Sequence, residues 1–287
     1  MTIMDIDLPL GRPGRLHLPG DRPPHTGIVA LHPAYLGDRE QPIFEHLAGT
    51  LAPLGYAVLT YDRRAGEGMD DVPFPDQAAD ALVALEWLAA EYQIGVGLFG
   101  FSQGTWAAAI AAGDNDQVAF LGLLGNPGVS PARQMRYFTD ESLRRGGYSE
   151  ADRAELATLR ATVEELLRGA GDRDEAAKLL AEAATKPWFA LAYLPPELPE
   201  ELPAWAEMDY DPAPGYARIS CPVTLFYGAD EENVPVGPSV AAWRSAGHPD
   251  LTVVELPGLG HWPGDFEAKT LSPLYTQALM DWAAGRE

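Results

Sequence analysis

The chain has 287 residues, 46% of them hydrophobic, and its 42 acidic against 20 basic side chains give a formal charge of −22. That length fits two average domains or one large α/β domain, and the apolar share suffices for a sizeable core. So negative a field repels nucleic acid and anionic membrane surfaces, the single cysteine rules out an internal disulfide, and no apolar stretch reaches membrane-spanning length.

At the N-terminus, Asp5 and Asp7 replace the basic segment and apolar core of a secretory signal, so a soluble, cytoplasmic protein is expected. The opening segment, with Gly11, Pro13, Gly14 and Pro19, reads as a turn-rich hairpin at a sheet edge. Short continuous apolar runs follow at 28–31, 57–61, 96–99 and 119–124, and again at 223–227 and 251–256. Such runs suit parallel strands covered on both faces. Helical patterns lie at 41–53, 76–92, 103–112, 236–246 and 270–284. The alternation predicts an α/β fold, a mostly parallel sheet flanked by helices. Cys221, just before the run at 223–227, reads as a buried, inert thiol.

Between 130 and 208 the alternation stops. Leu156, Leu159, Val163, Leu166 and Leu167 form a helical stripe, Ser149 and Asp152 resemble a capping box ahead of it, and 176–184 reads as another helix. The prolines of 194–203 forbid regular helix there. The core pattern resumes at Cys221 and needs the earlier strands to close. Residues 130–208 therefore read as a helical lid inserted between core segments 1–129 and 209–287, in preference to a linker between independent domains.

Gly100-Phe101-Ser102-Gln103-Gly104 directly follows the run at 96–99 and precedes a helix-forming run at 105–112. This is G-x-S-x-G in the strand-then-helix setting that gives the motif its meaning. A serine hydroxyl is a poor nucleophile until a sharp turn exposes it and a base takes its proton. The glycines leave room for that turn, and the helix start offers free N–H groups to an anion. Ser102 is the candidate nucleophile.

Six histidines compete for the role of base. His17, His25 and His46 precede the serine and are expected at the surface, His32 is expected to fix its loop by hydrogen bonding, and His248 precedes Pro249 in a turn. His261 lies in a glycine-flanked loop past the last predicted strand, where it can swing over the carboxyl edge of the sheet beside Ser102. For the acid, the run at 223–227 leads into Asp230, Glu231 and Glu232, whereas the preceding strand ends in Gly125-Asn126-Pro127 without a carboxylate. Glu231 and Asp230 both qualify, since the acid only orients and stabilises the imidazolium, and Glu232 reads as a solvated helix-start charge. Oxyanion donors are expected from the N–H of Gln103 and, because Pro33 has none, from Ala34 or in its place Tyr35. Asp62 and Arg63 read as a structural ion pair. Tyr35, Trp188, Phe189, Tyr193 and Trp205 are candidates for lining an acyl or aromatic pocket, with lid–core packing the competing reading for the lid aromatics. No metal-ligand spacing and no nucleotide-binding glycine motif is present, so no metal and no cofactor is implied.

Together, His32-Pro33, Tyr61-Asp62-Arg63-Arg64, the Ser102 pentapeptide, Asn126-Pro127-Gly128-Val129-Ser130, Tyr210-Asp211-Pro212, Ile219-Ser220-Cys221-Pro222-Val223 and Gly260-His261 resemble the α/β-hydrolase superfamily. The similarity is greatest to lid-bearing bacterial serine esterases related to prolyl aminopeptidases, and it covers most of the chain outside the lid helices. It implies the α/β-hydrolase fold, the chain order serine, acid, histidine, and cleavage of a small-molecule ester or acyl substrate. The same fold hosts thioesterases, peptidases, lyases and non-catalytic receptors, and the oligomeric state stays open. The family's G-x-x-D-x-x-V-P pattern puts the acid at the third position after Gly228, which favours Glu231 over Asp230 although aspartate is usual there. Thr105 stands where the elbow often carries a further glycine.

Overall fold

The computed structural model describes residues 1–34, 37–65, 72–202 and 205–286. Strands β1 (Thr2–Leu8) and β2 (Arg12–Leu18) form the expected antiparallel hairpin, turning at Gly11 with φ +68°. There follow β3 (Thr26–Leu31), α1 (Pro42–Leu51), β4 (Tyr56–Tyr61), α2 (Phe74–Tyr92), β5 (Gly95–Phe101), α3 (Gly104–Asp114) and β6 (Val118–Leu124). The chain continues through α4 (Pro131–Arg145), α5 (Glu150–Leu167), α6 (Arg173–Ala183), α7 (Ala213–Tyr216), β7 (Val223–Gly228), α8 (Val236–Ser245), β8 (Leu251–Leu256) and, past a two-residue ribbon, a last helix at Pro273–Ala284 (α9).

Eight strands make one sheet in the order β1-β2-β4-β3-β5-β6-β7-β8, antiparallel at the hairpin and parallel from β4 onward. Every residue of β3, β4 and β7 is buried. That is why these strands read as continuous apolar runs and not as alternating ones. On one face Ala81, Leu85 and Leu88 of α2, Ala108 and Ala111 of α3 and Trp243 of α8 close the core. On the other, Phe44 and Leu47 of α1 meet Tyr275, Leu279 and Trp282 of α9. Among the described residues no helix is long and apolar enough to cross a membrane.

Between β6 and β7 the helices α4, α5 and α6 gather around an apolar cluster of their own, including Leu143, Leu156, Leu159, Leu180 and Trp188. Both hydrogen bonds of the capping box form: the Ser149 hydroxyl accepts the Asp152 N–H, and the Asp152 carboxylate accepts the Ser149 N–H. Helix α4 was not foreseen, since few of its residues are buried and its apolar stripe is thin. Its start was marked nonetheless by Ser130-Pro131, a capping hydroxyl followed by a proline fit for the first turn.

Two histidine expectations need correction. His17 is fully buried, with both ring nitrogens lacking a hydrogen-bond partner, and burial pushes its pKa down. His46 is half-buried, its ring stacked on Tyr275 at 5.7 Å. Burial raises the half-buried Cys221 thiol to about 11, which keeps it protonated and unreactive.

One buried side chain ties the sheet to its helices. Asn126, at the end of β6, donates from Nδ2 to Thr105 Oγ1 (2.9 Å) and accepts at Oδ1 from Trp243 Nε1 (2.8 Å) and the Tyr216 hydroxyl (3.3 Å). Its carbonyl accepts from the Tyr227 hydroxyl at 2.8 Å. A leucine there fits the volume but leaves three buried polar groups without their partner. Asn126→Leu is expected to lower the unfolding free energy by about 2–4 kcal/mol. Urea denaturation measures this, and wild-type stability in the variant would mean that the network contributes nothing.

Candidate active site

The site begins with a backbone constraint. Ser102 has φ +52°, in the left-handed region that residues with a side chain rarely occupy. The Ser102 N–H donates to the Leu124 carbonyl at 2.9 Å, and its own carbonyl accepts the Thr105 N–H (3.0 Å) and hydroxyl (2.6 Å). A Cβ on Gly100 would lie 2.7 Å from the Gly104 carbonyl oxygen, and one on Gly104 would lie 2.5 Å from that of Leu31. No side chain fits either place, so β5, β3 and the start of α3 can pack closely enough to turn the serine outward.

His261 approaches from the loop after β8. Its Nε2 lies 3.0 Å from Ser102 Oγ, and its Nδ1 lies 2.9 and 3.1 Å from the two Glu231 carboxylate oxygens. Glu231 Oε1 also accepts the N–H groups of Asn233 (2.9 Å) and Val234 (3.2 Å). The glutamate's extra methylene thus lets the carboxylate fold back on its own loop while holding the ring. Burial works to lower the pKa of His261, but the charge and hydrogen bond of Glu231, with Glu232 behind it, outweigh burial and raise it. The geometry assembles Ser102, His261 and Glu231 into one hydrogen-bonded chain able to move a proton from hydroxyl to imidazole.

The neighbouring acids do other work. Asp230 is exposed, and among the described contacts none joins its carboxylate to His261. Glu232 corrects the expectation of a merely solvated charge: its Oε2 accepts the His261 backbone N–H at 3.0 Å. Consecutive glutamates therefore grip one histidine, at the ring and at the main chain. Gly125, not singled out from the sequence except as lacking a carboxylate, has φ +61°, and a Cβ there would lie 2.7 Å from His261 Cε1. The glycine at the end of a central strand was the signal available.

Gln103 immediately precedes α3, Ala34 lies in the turn after β3, and Tyr35 lies outside the described residues. Arg63 spans the two segments, with Nη1 at 3.4 Å from the Pro33 carbonyl and 3.2 Å from Gln103 Oε1. The expected Asp62–Arg63 pair does not form as such: Asp62 binds Arg39, accepting from its N–H (2.9 Å) and its guanidinium (2.6 Å). Arg64 instead grips Asp80, which Arg12 also reaches at 2.7 Å. His32 lies edge-on to Phe44 and Tyr61, and its Nε2 has no hydrogen-bond partner. Burial first, and then Arg63, push its pKa down to about 3, so it stays neutral.

The aromatic candidates are dispersed. Trp188 is buried inside the insert's own cluster, with Phe189 packed against it. Tyr193 is exposed with its ring 4.8 Å from Phe138, and Trp205 is half-buried. The ring that does meet His261 is Phe101, at 5.2 Å. Among the described residues no three His, Cys, Asp or Glu side chains gather as a metal-binding group.

Comparison with known proteins adds to this geometry. Residues 28–269 match the model of the alpha/beta hydrolase family. The chain is similar in structure to Est1E from Butyrivibrio proteoclasticus, with a TM-score of 0.58 and 18% identity over 100% of this chain and 99% of that one. It is also similar to the esterase domain of a Rhodothermus marinus protein (TM-score 0.57, 17% identity, 99% and 98% covered) and to E-2-(acetamidomethylene)succinate hydrolase (0.57, 16%, 99% and 99%). At these identities the likeness carries the fold alone. No functionally curated protein matches the sequence.

Gly125 offers a direct test of the geometry. In Gly125→Ala the new methyl meets the buried His261 ring and must also adopt a left-handed backbone, itself costing about 1 kcal/mol. The ring is expected to leave Ser102, as seen in a crystal structure of the variant. An Nε2–Oγ distance still at the present 3.0 Å would show that the glycine is not needed for this arrangement.

Proposed function

The chain belongs to the alpha/beta hydrolase family, and from that premise we propose that it is a serine hydrolase cleaving carboxylic esters through an acyl-enzyme. The hydrogen-bonded chain from Ser102 through His261 to Glu231 is the observation that carries this reading. Ser102 Oγ attacks the ester carbonyl as its proton passes to His261 Nε2, and the imidazolium that forms keeps its Nδ1–H on the Glu231 carboxylate. The N–H groups of Gln103 and Ala34 receive the developing oxyanion. The imidazolium then gives its proton to the departing alcohol. Water, deprotonated by the same ring, releases the acid and restores Ser102. An ester is preferred to a thioester or amide as the scissile bond on the resemblance of the sequence motifs to serine esterases.

The insert of residues 130–208 serves this site as its lid and selects the substrate. Exchanging α5 and α6 for those of another such protein is expected to reorder a panel of acyl esters while fluorophosphonate still labels Ser102. The same ranking after exchange would assign selectivity to the core loops.

Ser102→Ala is expected to abolish fluorophosphonate labelling and to cut turnover by about 10⁶-fold. Substantial turnover by the purified variant would point to another nucleophile. The pH dependence has a definite sign. His261 accepts a proton only when neutral, so activity is present above its pKa and lost as pH falls through it. Because Glu231 and Glu232 raise that pKa against burial, the acid limb of kcat/KM belongs above the ordinary imidazole value of about 6.5. Glu231→Gln is expected to move the limb to lower pH and to reduce kcat by about two to four orders of magnitude, with Asp230→Asn costing far less. An unmoved limb, or the reverse ranking of the two variants, would remove Glu231 from the mechanism.

A further inference from the structure

The loop that carries Glu231 spends its N–H groups on itself and on the His261 loop: Asn233 and Val234 donate to the Glu231 carboxylate, and Asp230 donates to the Leu259 carbonyl at 2.9 Å. Its carbonyls turn the other way. Gln134 Nε2 donates to the Asn233 carbonyl at 2.7 Å, the Tyr137 hydroxyl to that of Glu231 at 3.3 Å, and Arg145 Nη2 to that of Asp230 at 2.8 Å. All three donors belong to α4, some hundred residues earlier in the chain. Together with Glu141 they stand at spacings of three, four and four, which is one face of a helix. Glu141 is buried, its carboxylate held down to about 2 by hydrogen bonds from Arg144 and Arg145, and so it is a fixed anion that orients the Arg145 guanidinium. Arg145 Nη1 also lies 4.0 Å from Glu232, whose carboxylate holds the His261 N–H.

We propose that α4 is a brace for the acid loop, in which Gln134, Tyr137 and Arg145 are positioning residues that keep Glu231 on the His261 ring. The insert then sets whether the site is assembled, in addition to what can enter it. The bonds to the Glu231 and Asn233 carbonyls are partly shielded from water, so a loop that loses those donors must turn or take on water there, whereas the Arg145 bond to Asp230 lies at the surface and adds a charged tether. A rotation of this loop carries the Glu231 carboxylate away from Nδ1. Among the described residues the charged groups that reach His261 are Glu231 and Glu232, while Ser102, Gly125 and Phe101 touch its ring without charge, and Tyr137 and Arg145 of α4 stand one contact further out, on the Glu231 carbonyl and on Glu232. Loosening the loop therefore acts on the ring mainly through Glu231.

The consequence for turnover rests on the serine-hydrolase reading, so the experiment has one readout that does not. The pKa of the His261 ring is measured by NMR titration in the wild-type protein, in the double variant Gln134→Ala/Tyr137→Phe, and in Arg145→Met. Both variants are expected to titrate lower by about one unit, the size of effect of moving an opposite charge off contact. Kinetics with an activated ester form the second readout, with kcat expected to fall about 10–100-fold at nearly constant KM, as for a misplaced reacting group. Arg145→Lys should recover part of both effects. Arg153→Ala, which breaks the ion pair to Asp140 elsewhere on α4, should alter neither. Folded variants with the wild-type His261 titration would overturn the brace, as would an equal shift in Arg153→Ala. A titration shift in a protein that neither labels nor turns over would uphold the brace and reject the hydrolase reading.

Discussion

The left-handed backbone at Ser102 is the constraint on which the site depends. It converts the end of a buried strand into an outward-turned, half-buried hydroxyl within one residue, and three elements must agree for it to persist. Strand β6 supplies the Leu124 carbonyl for the serine N–H, Thr105 ties off the serine carbonyl, and Asn126 holds Thr105 from below. Thr105, a departure from the more usual glycine, therefore has a definite role, because its hydroxyl is the link between the elbow and the buried amide network.

Position in the sheet does the rest. Strand β5 runs between β3 and β6, and the loops leaving β3, β6, β7 and β8 all emerge at the same carboxyl edge. Gly125, the Glu231 loop and the His261 loop gather beside Ser102 for that reason, and the turn carrying Ala34 leaves the same edge. Parallel order fixes which loops converge, while close packing at Gly100, Gly104 and Gly125 fixes how nearly they do so.

Much of this was legible in the sequence because it follows from local patterns. Fully buried strands leave continuous apolar runs, an elbow needs its glycines, and a histidine past the last strand has few other places to go. Register after Gly228 favoured Glu231, and the geometry brings that carboxylate, not that of Asp230, to the ring. The features that escaped are those set by tertiary pairing between polar groups. Asp62 passes over its neighbour Arg63 for Arg39, which is brought beside it by the turn after β3. Glu232 finds a main-chain N–H across the site, and no sequence period encodes that contact. Helix α4 spends its polar face on loop carbonyls, so it lacks the broad apolar stripe by which a helix is recognised. Trp188 reads as a pocket aromatic only until the insert is seen to have an interior of its own.

The positive φ of Ser102 also bears on how the position can evolve. A left-handed residue with a side chain costs about 1 kcal/mol more than glycine in the same place. Glycine at position 102 would therefore be the more stable choice, and drift filtered only by folding would tend toward it. The same strain stands at Gln93, Tyr193 and Lys269, with φ of 55°, 51° and 55°, so what distinguishes position 102 is not the angle alone but the imidazole set 3.0 Å from its hydroxyl.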